Sequence, residues 1–168
     1  MGGGPNLLWL AKNKNLEGHF GGCDYSDGLI KSAKSVLETY DFKELECCEA
    51  NKMNTQVKYD SVFSMGVFPY FINLDYAYEV LKLMMDKAKY SIGILSIHDL
   101  DKEEDYVNYR KQTIENYEER YKDLPKLFYS RNFFLDFAVE NELNIKFAQT
   151  PIPGYWNNEF VYNVYFWK

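Results

Sequence analysis

The glycine run ahead of Pro5 (Gly2, Gly3, Gly4) and the acid Asp24 are the first residues of this chain whose types and spacing point to chemistry. Glycines let a backbone lie close to a nucleotide, and Pro5 suits the first position of a helix. An acid about 20 residues further on suits the hydroxyls of a ribose. Two more stretches follow in order, "EAN" with Glu49 and Ala50, and "SMG" with Ser64, Met65 and Gly66. His98 beside Asp99 completes the set, because histidine is the side chain whose ordinary pKa suits proton transfer near neutral pH. Taken singly, each has a plain structural reading. Asp24 could cap a turn, Glu49 could be an exposed strand end, Ser64 and Gly66 could make a tight turn, and His98 could simply end a strand. They become a site only if the surrounding elements bring them together.

Apolar spacing supplies those elements. Leu7, Leu8, Leu10 and Ala11 predict a helix over residues 5–12, and residues 16–23 a short strand. Ser26 can cap a second helix carrying Leu29, Ile30, Ala33, Val36 and Leu37. "KELECCEAN" and "KYDSVFSMGVF" predict strands, the latter with Val62 and Phe63 buried, around a polar loop. Leu74, Ala77, Val80, Leu81 and Met84 then recur at helical spacing, and "YSIGILSIHDL" is the most strand-like run in the chain. Residues 101–126 form a charged, tyrosine-rich helical insertion. After it come an amphipathic helix in "KLFYSRNFFLDFAVENEL" and two strands, "NIKFAQTPI" and "EFVYNVYFWK", which can pair as an antiparallel hairpin. Strands alternating with helices predict an α/β fold with a mainly parallel sheet, whose ligands lie beyond the carboxyl ends of the strands. That rule puts Asp24, Glu49, Ser64 and His98 on the ligand side and His19 on the other.

With 168 residues, 46% of them apolar, the chain suits one domain over residues 1–168, with the insertion inside it. A formal charge of -6 argues against nucleic acid as the partner, so Lys122, Lys126 and Arg131 are expected on solvated helix surface. Neither a leader nor an apolar run of roughly 20 residues is present, which predicts a soluble, cytoplasmic protein without a membrane partner. Cys23, Cys47 and Cys48 lack metal-site spacing and are expected as reduced, buried thiols; no metal is expected.

At this point the sequence resembles the class I S-adenosylmethionine-dependent methyltransferases over nearly its whole length. "GGGPNLLWLA" is similar to the second half of that family's glycine loop, "GCDYS" to its second motif, "EAN" to the adenine-contacting motif and "YDSVFSMGVFPYF" to the fourth. The resemblance implies a Rossmann-like three-layer sandwich closed by an antiparallel C-terminal hairpin, with S-adenosyl-L-methionine as cofactor. It carries cofactor contacts onto Gly2, Gly4, Asp24, Tyr25, Glu49, Ala50, Ser64, Met65 and Gly66, the turn from Ser64 lying beside the methionine part. The implied acceptor is a small molecule, with a protein side chain in second place. Phe68, Tyr70, Tyr106, Tyr129 and Trp156 are expected in its pocket, and His98 and Asp99 as the catalytic pair. The family's first strand and its acid are absent, which predicts a truncated form with weak or absent cofactor binding and a sheet edge open to homodimerisation. Two alternatives stand beside this reading. A dinucleotide-binding oxidoreductase would need a glycine where the chain has Leu7. A non-catalytic Rossmann-like module would bind a partner through the sheet.

Overall fold

The structure is a computed structural model and describes residues 4–13, 18–40, 42–149 and 151–168, so Gly2 lies outside the described residues. The chain divides into two compact units, Met1–Asp60 with Glu79–Lys89, and Ser61–Tyr78 with Tyr90–Lys168.

In the first unit, Gly4 precedes helix α1 (Pro5–Lys12) with φ 92, a left-handed value that disfavours any side chain. A Cβ there would also press on Ala33 Cβ and Leu37 Cδ1 at 3.3 Å, so glycine lets this turn seat on the next helix. Strand β1 (Phe20–Asp24) leads to helix α2 (Asp27–Val36), where Ser26 caps as expected by accepting from the Leu29 N–H. Ile30 and Ala33 one turn apart are buried, and Leu7, Ala33 and Leu37 form a core against which Phe20, Phe42 and Leu45 pack. Strand β2 (Phe42–Cys47) pairs with β1 in parallel, Cys23 opposite Glu46 and Asp24 opposite Cys47. All three thiols are free, but none is fully buried as expected: Cys47 is exposed, and Cys23 and Cys48 are half-buried. Alternation along β2 puts successive side chains on opposite faces, so Cys47 and its neighbour cannot share one environment.

Beneath this sheet lies a buried ion pair between Lys87 and Glu44, whose side chains are 10% and 8% exposed. The Lys87 ammonium also donates to the Asn54 carbonyl and stands 5.3 Å above the Tyr59 ring. Gly21 makes room for that ring: a Cβ on it would fall 2.0 Å from Tyr59 Oη. Burial, then the neighbouring Glu44 carboxylate, push the Tyr59 phenol well above its usual range.

Strand β3 (Tyr59–Met65), helix α3 (Leu74–Lys87) and strand β4 (Ala88–His98) contribute residues to both ranges. The second unit adds helices α4 (Glu103–Thr113), α5 (Tyr117–Tyr121) and α6 (Arg131–Glu140) and strands β5 (Asn144–Ala148) and β6 (Val161–Trp167). Its four strands lie in the order β3-β4-β6-β5. Strands β3 and β4 meet in ascending order, Ser61 Oγ 2.7 Å from Ser91 Oγ and the Gly66 N–H donating to the Leu95 carbonyl at 2.9 Å, so they run parallel. Strand β6 runs antiparallel to both β4 and β5, which is the expected hairpin. Alternation along β6 buries Tyr162, Val164 and Phe166. On α6, capped by Ser130, the spacing of Phe134, Phe137 and Ala138 buries all three, and rings of Phe134 and Phe137 meet Phe166. Two expectations fail here. Phe63 is 43% exposed, because Val62 and Phe63 are adjacent on a strand and must face opposite ways, and Leu74 at the start of α3 is exposed. The insertion is helical, as α4 and α5. Among the described residues no helix is long and apolar enough to cross a membrane.

Candidate functional site

In the first unit the parallel pairing of β1 and β2 brings two of the expected positions to one edge. Asp24 ends β1, and its carbonyl accepts from the Cys48 N–H at 3.0 Å, which joins it to the segment carrying Glu49 and Ala50. Asp24 Oδ1 accepts from the Ser26 N–H at 3.0 Å, so the carboxylate holds its turn and is aimed by it. Tyr25, next to it, is 80% exposed. Glu49 opens a short helical turn over Ala50–Lys52 and makes an open ion pair with Lys52 at 3.7 Å. Two carboxylates and an exposed tyrosine at the carboxyl ends of parallel strands can accept from hydroxyl or amino groups and lie against a flat ring. Hydrogen-bond acceptors and an aromatic face suit an adenosine, with no polyphosphate to be neutralised.

Behind that edge, Cys23 is pushed up to about 12, by burial first and then by the Cys48 thiol, so it is an inert thiol at neutral pH.

In the second unit Ser64 and Met65 end β3, and Gly66 follows at φ 63, a conformation that favours glycine. The parallel strand β4 ends in His98. Before it, the pairing with β6 slips between Ile94 and Ile97, and Ser96 takes φ 59 with its N–H on Asn163 Oδ1 at 2.9 Å. Such a bulge re-aims the end of a strand, and nothing in the sequence marks it.

His98 and Asp99 are adjacent yet not joined. The Asp99 carboxylate accepts from Arg131 at 2.9 Å and from the Asp101 N–H at 3.2 Å, and both His98 and Asp99 are buried. This corrects two expectations: Asp99 serves an ion pair that anchors the start of α6, and Arg131 is engaged with Asp99 and with the Tyr162 ring at 4.9 Å instead of being solvated. The His98 ring lies 4.8 Å from Tyr106 and 5.1 Å from Phe128, and its Nδ1 is buried without a hydrogen-bond partner. Burial, helped by the charges of Lys126 and Arg110, lowers its pKa to about 4, so the imidazole is neutral at pH 7.

That shift carries a pH dependence. The folded value lies below the ordinary 6.5, so the unfolded chain takes up the proton first. The stability held by neutral His98 is complete above pH 6.5 and is lost as pH falls towards 4. Between pH 7 and pH 5 the advantage of the unmodified chain over His98→Phe should shrink by about 2 kcal/mol, read from urea unfolding at the two pH values. An unchanged difference would place the imidazole in water.

Of the expected pocket residues, Phe68 and Tyr129 are instead packed inside, 1% and 0% exposed, with the Tyr129 hydroxyl donating to the Phe68 carbonyl at 2.7 Å. Aromatic rings with that much apolar area go to the core when backbone offers their hydroxyl a partner. Tyr70 is exposed, with the Lys126 ammonium 3.2 Å above its ring, so Lys126 too is engaged. Tyr106 and Trp156 do meet, at 5.9 Å, in a ring cluster with Tyr109, Phe128 and Phe160. Burial pushes the Tyr106 phenol up to about 12.

Neither a protein-family model nor a curated protein sequence matches the chain. Solved structures do. Magnesium protoporphyrin IX methyltransferase (ChlM) from Synechocystis PCC 6803 is 13% identical; with bound SAH its TM-score is 0.70, over 99% of this chain and 70% of that one. With bound SAM the TM-score is 0.68 and the share of that chain 66%, so this chain spans about two thirds of ChlM. An S-adenosylmethionine-dependent methyltransferase from Clostridium acetobutylicum ATCC 824 gives 0.70 at 13% identity, over 99% and 80%. The small RNA methyltransferase HEN1 gives 0.66 at 14% identity, over 99% of this chain and 22% of that one. The chain therefore has the Rossmann-like fold of class I S-adenosylmethionine-dependent methyltransferases.

Proposed function

We propose that this chain is a methyltransferase that takes S-adenosyl-L-methionine as cofactor and methylates a small-molecule acceptor. The observation that supports the reading is the parallel β1–β2 edge, which joins Asp24 to the segment carrying Glu49, within a fold whose neighbours hold SAM or SAH. When bound, the cofactor supplies an electrophilic methyl group on a sulfonium. Asp24 and Glu49 would take the ribose hydroxyls and the adenine edge, and the exposed Tyr25 ring would cover one face. Gly4 lets the chain turn into α1 next to α2, keeping side chains out of that turn.

On the acceptor side, burial keeps His98 neutral at pH 7 but lowers its pKa to about 4, so it is a weak proton acceptor and shapes the site more than it moves protons. Alignment does the larger share of such a reaction, since the acceptor is the nucleophile. A net charge of -6 favours a small molecule over a polynucleotide as the acceptor.

A thermal-shift comparison tests the cofactor class. S-adenosylmethionine and S-adenosylhomocysteine at millimolar concentration should both raise Tm, because a ligand that binds only the folded state stabilises it. Nicotinamide dinucleotides should leave it unchanged. The reverse pattern would point to an oxidoreductase; no response to either would point to a module that binds no nucleotide cofactor.

A further inference from the structure

The second unit holds a cation among aromatic rings with no acid paired to it among the described residues. Arg110, on α4, lies with its guanidinium 4.8 Å from the Trp156 ring, 5.4 Å from Tyr121 and 5.7 Å from Tyr117. Its Nε is buried and has no hydrogen-bond partner. Among the described residues no carboxylate pairs with it, although acids are plentiful on the same helices. Lys111, next in sequence, takes Glu118 at 2.7 Å, and Lys102 takes Asp105 at 2.9 Å. In a chain with six more acids than bases, an arginine held on three rings and left without an acid is an unusual arrangement.

The chemistry of that arrangement is specific. Rings packed around a guanidinium strip water from it, which strengthens any bond that its fork of N–H groups can still make. Such a fork matches a carboxylate or a phosphate in the plane, where two parallel hydrogen bonds form. The rings around it are also a platform. Trp156 stacks on Tyr109 at 5.5 Å with planes 4° apart and remains 38% exposed, and Tyr117 and Tyr121 lie 5.0 Å apart. Lys126 adds a second positive charge, since both cations act on His98. His98 reaches the platform through Tyr106, whose ring contacts His98 at 4.8 Å and Trp156 at 5.9 Å.

We propose that Arg110 anchors an aromatic small molecule through its oxyanion, a carboxylate or a phosphate, with the ligand ring laid against Trp156. This deepens the methyl-transfer reading by naming the acceptor class and, as an acceptor site, rests on it; as a binding site it does not.

The test uses the whole chain without cofactor and follows the Arg110 Nε–Hε resonance by NMR, assigned by through-bond correlation along the side chain to the Arg110 backbone. Benzoate, phenyl phosphate, inorganic phosphate and benzyl alcohol are the probes. Benzoate or phenyl phosphate should shift that resonance saturably, whichever binds tighter identifying the oxyanion. Inorganic phosphate should need about tenfold more, and benzyl alcohol should have no effect. Arg110→Lys keeps the charge but loses the fork, and should weaken the ring-bearing probe about tenfold, followed by the Trp156 indole signal. Equal response to benzyl alcohol, no shift by either ring-bearing oxyanion at millimolar concentration, or undiminished binding by Arg110→Lys would overturn the proposal. The measurement on the unmodified chain stands even if the variant fails to fold. A failed oxyanion titration beside a positive S-adenosylmethionine thermal shift would remove this site and leave the cofactor reading intact.

Discussion

Replacing Lys87 by Met should cost about 3–5 kcal/mol of stability, because it leaves the Glu44 carboxylate buried without its partner. The pair is almost sealed from solvent, and the Lys87 ammonium also satisfies the Asn54 carbonyl. The arithmetic of burial predicts a second, opposite result. Replacing both partners together, Glu44→Leu with Lys87→Met, removes both desolvation costs and should recover most of the loss. Urea denaturation of the two single variants and the double variant checks this as a cycle. A double variant as unstable as Lys87→Met would show that the ammonium matters for the Asn54 carbonyl and the Tyr59 ring, and that the ion pair is secondary. Since a domain holds only about 5–15 kcal/mol in all, the single variant should also yield less folded protein. Lys87 and Glu44 lie in the same unit as Asp24, and neither is among the residues proposed to contact the cofactor.

Tyr129→Ala is the second large effect, at about 3–5 kcal/mol, the range found when a fully buried aromatic ring is emptied. Tyr129 contacts Phe68 at 5.9 Å and Phe134 at 5.6 Å between ring centres, and its carbonyl accepts from the Tyr162 hydroxyl at 3.1 Å. Its backbone also clamps the end of β4, its N–H donating to the His98 carbonyl at 2.9 Å and its carbonyl receiving the Leu100 N–H at 3.0 Å. Tyr129→Phe keeps the ring and strands only the Phe68 carbonyl, a loss of about 1–3 kcal/mol. Thermal or urea unfolding separates the two variants. If Tyr129 lined a pocket, as its position in the sequence suggests, Tyr129→Ala would weaken acceptor binding while leaving stability within about 1 kcal/mol.

The contrast shows where the sequence is readable. Periodicity is a local property, so α2 with its Ser26 cap, α3, the alternating strand β6 and the closing antiparallel hairpin are all legible. The edge formed by Asp24 and Glu49 is legible for a related reason, since strand ends follow from strands and the parallel register then sets Asp24 beside Cys47. What is not legible depends on partners distant in sequence. Asp99 and Arg131 are 32 residues apart and their ion pair leaves no local signature. Arg110 reads as one more charge on a charged helix until Trp156 folds over it. Whether an aromatic residue near a strand end faces core or ligand is decided by what packs above it, which is why Phe68 and Tyr129 are inside while Tyr70 is out. The αL conformation of Ser96 and the slip beside it belong to the same class, set by a side chain 67 positions away on β6.

The central claim is that the β1–β2 edge holds the nucleoside of S-adenosylmethionine, and a calorimetric titration tests it most directly. The unmodified chain, titrated with S-adenosylmethionine to millimolar concentration, should bind it saturably at one site, and S-adenosylhomocysteine should compete. Asp24→Asn keeps the shape of the turn and removes the charge, and should weaken binding by about tenfold or more, the worth of a hydrogen bond to a charged group. No saturable heat at millimolar concentration, or binding that Asp24→Asn leaves unchanged, would contradict the claim.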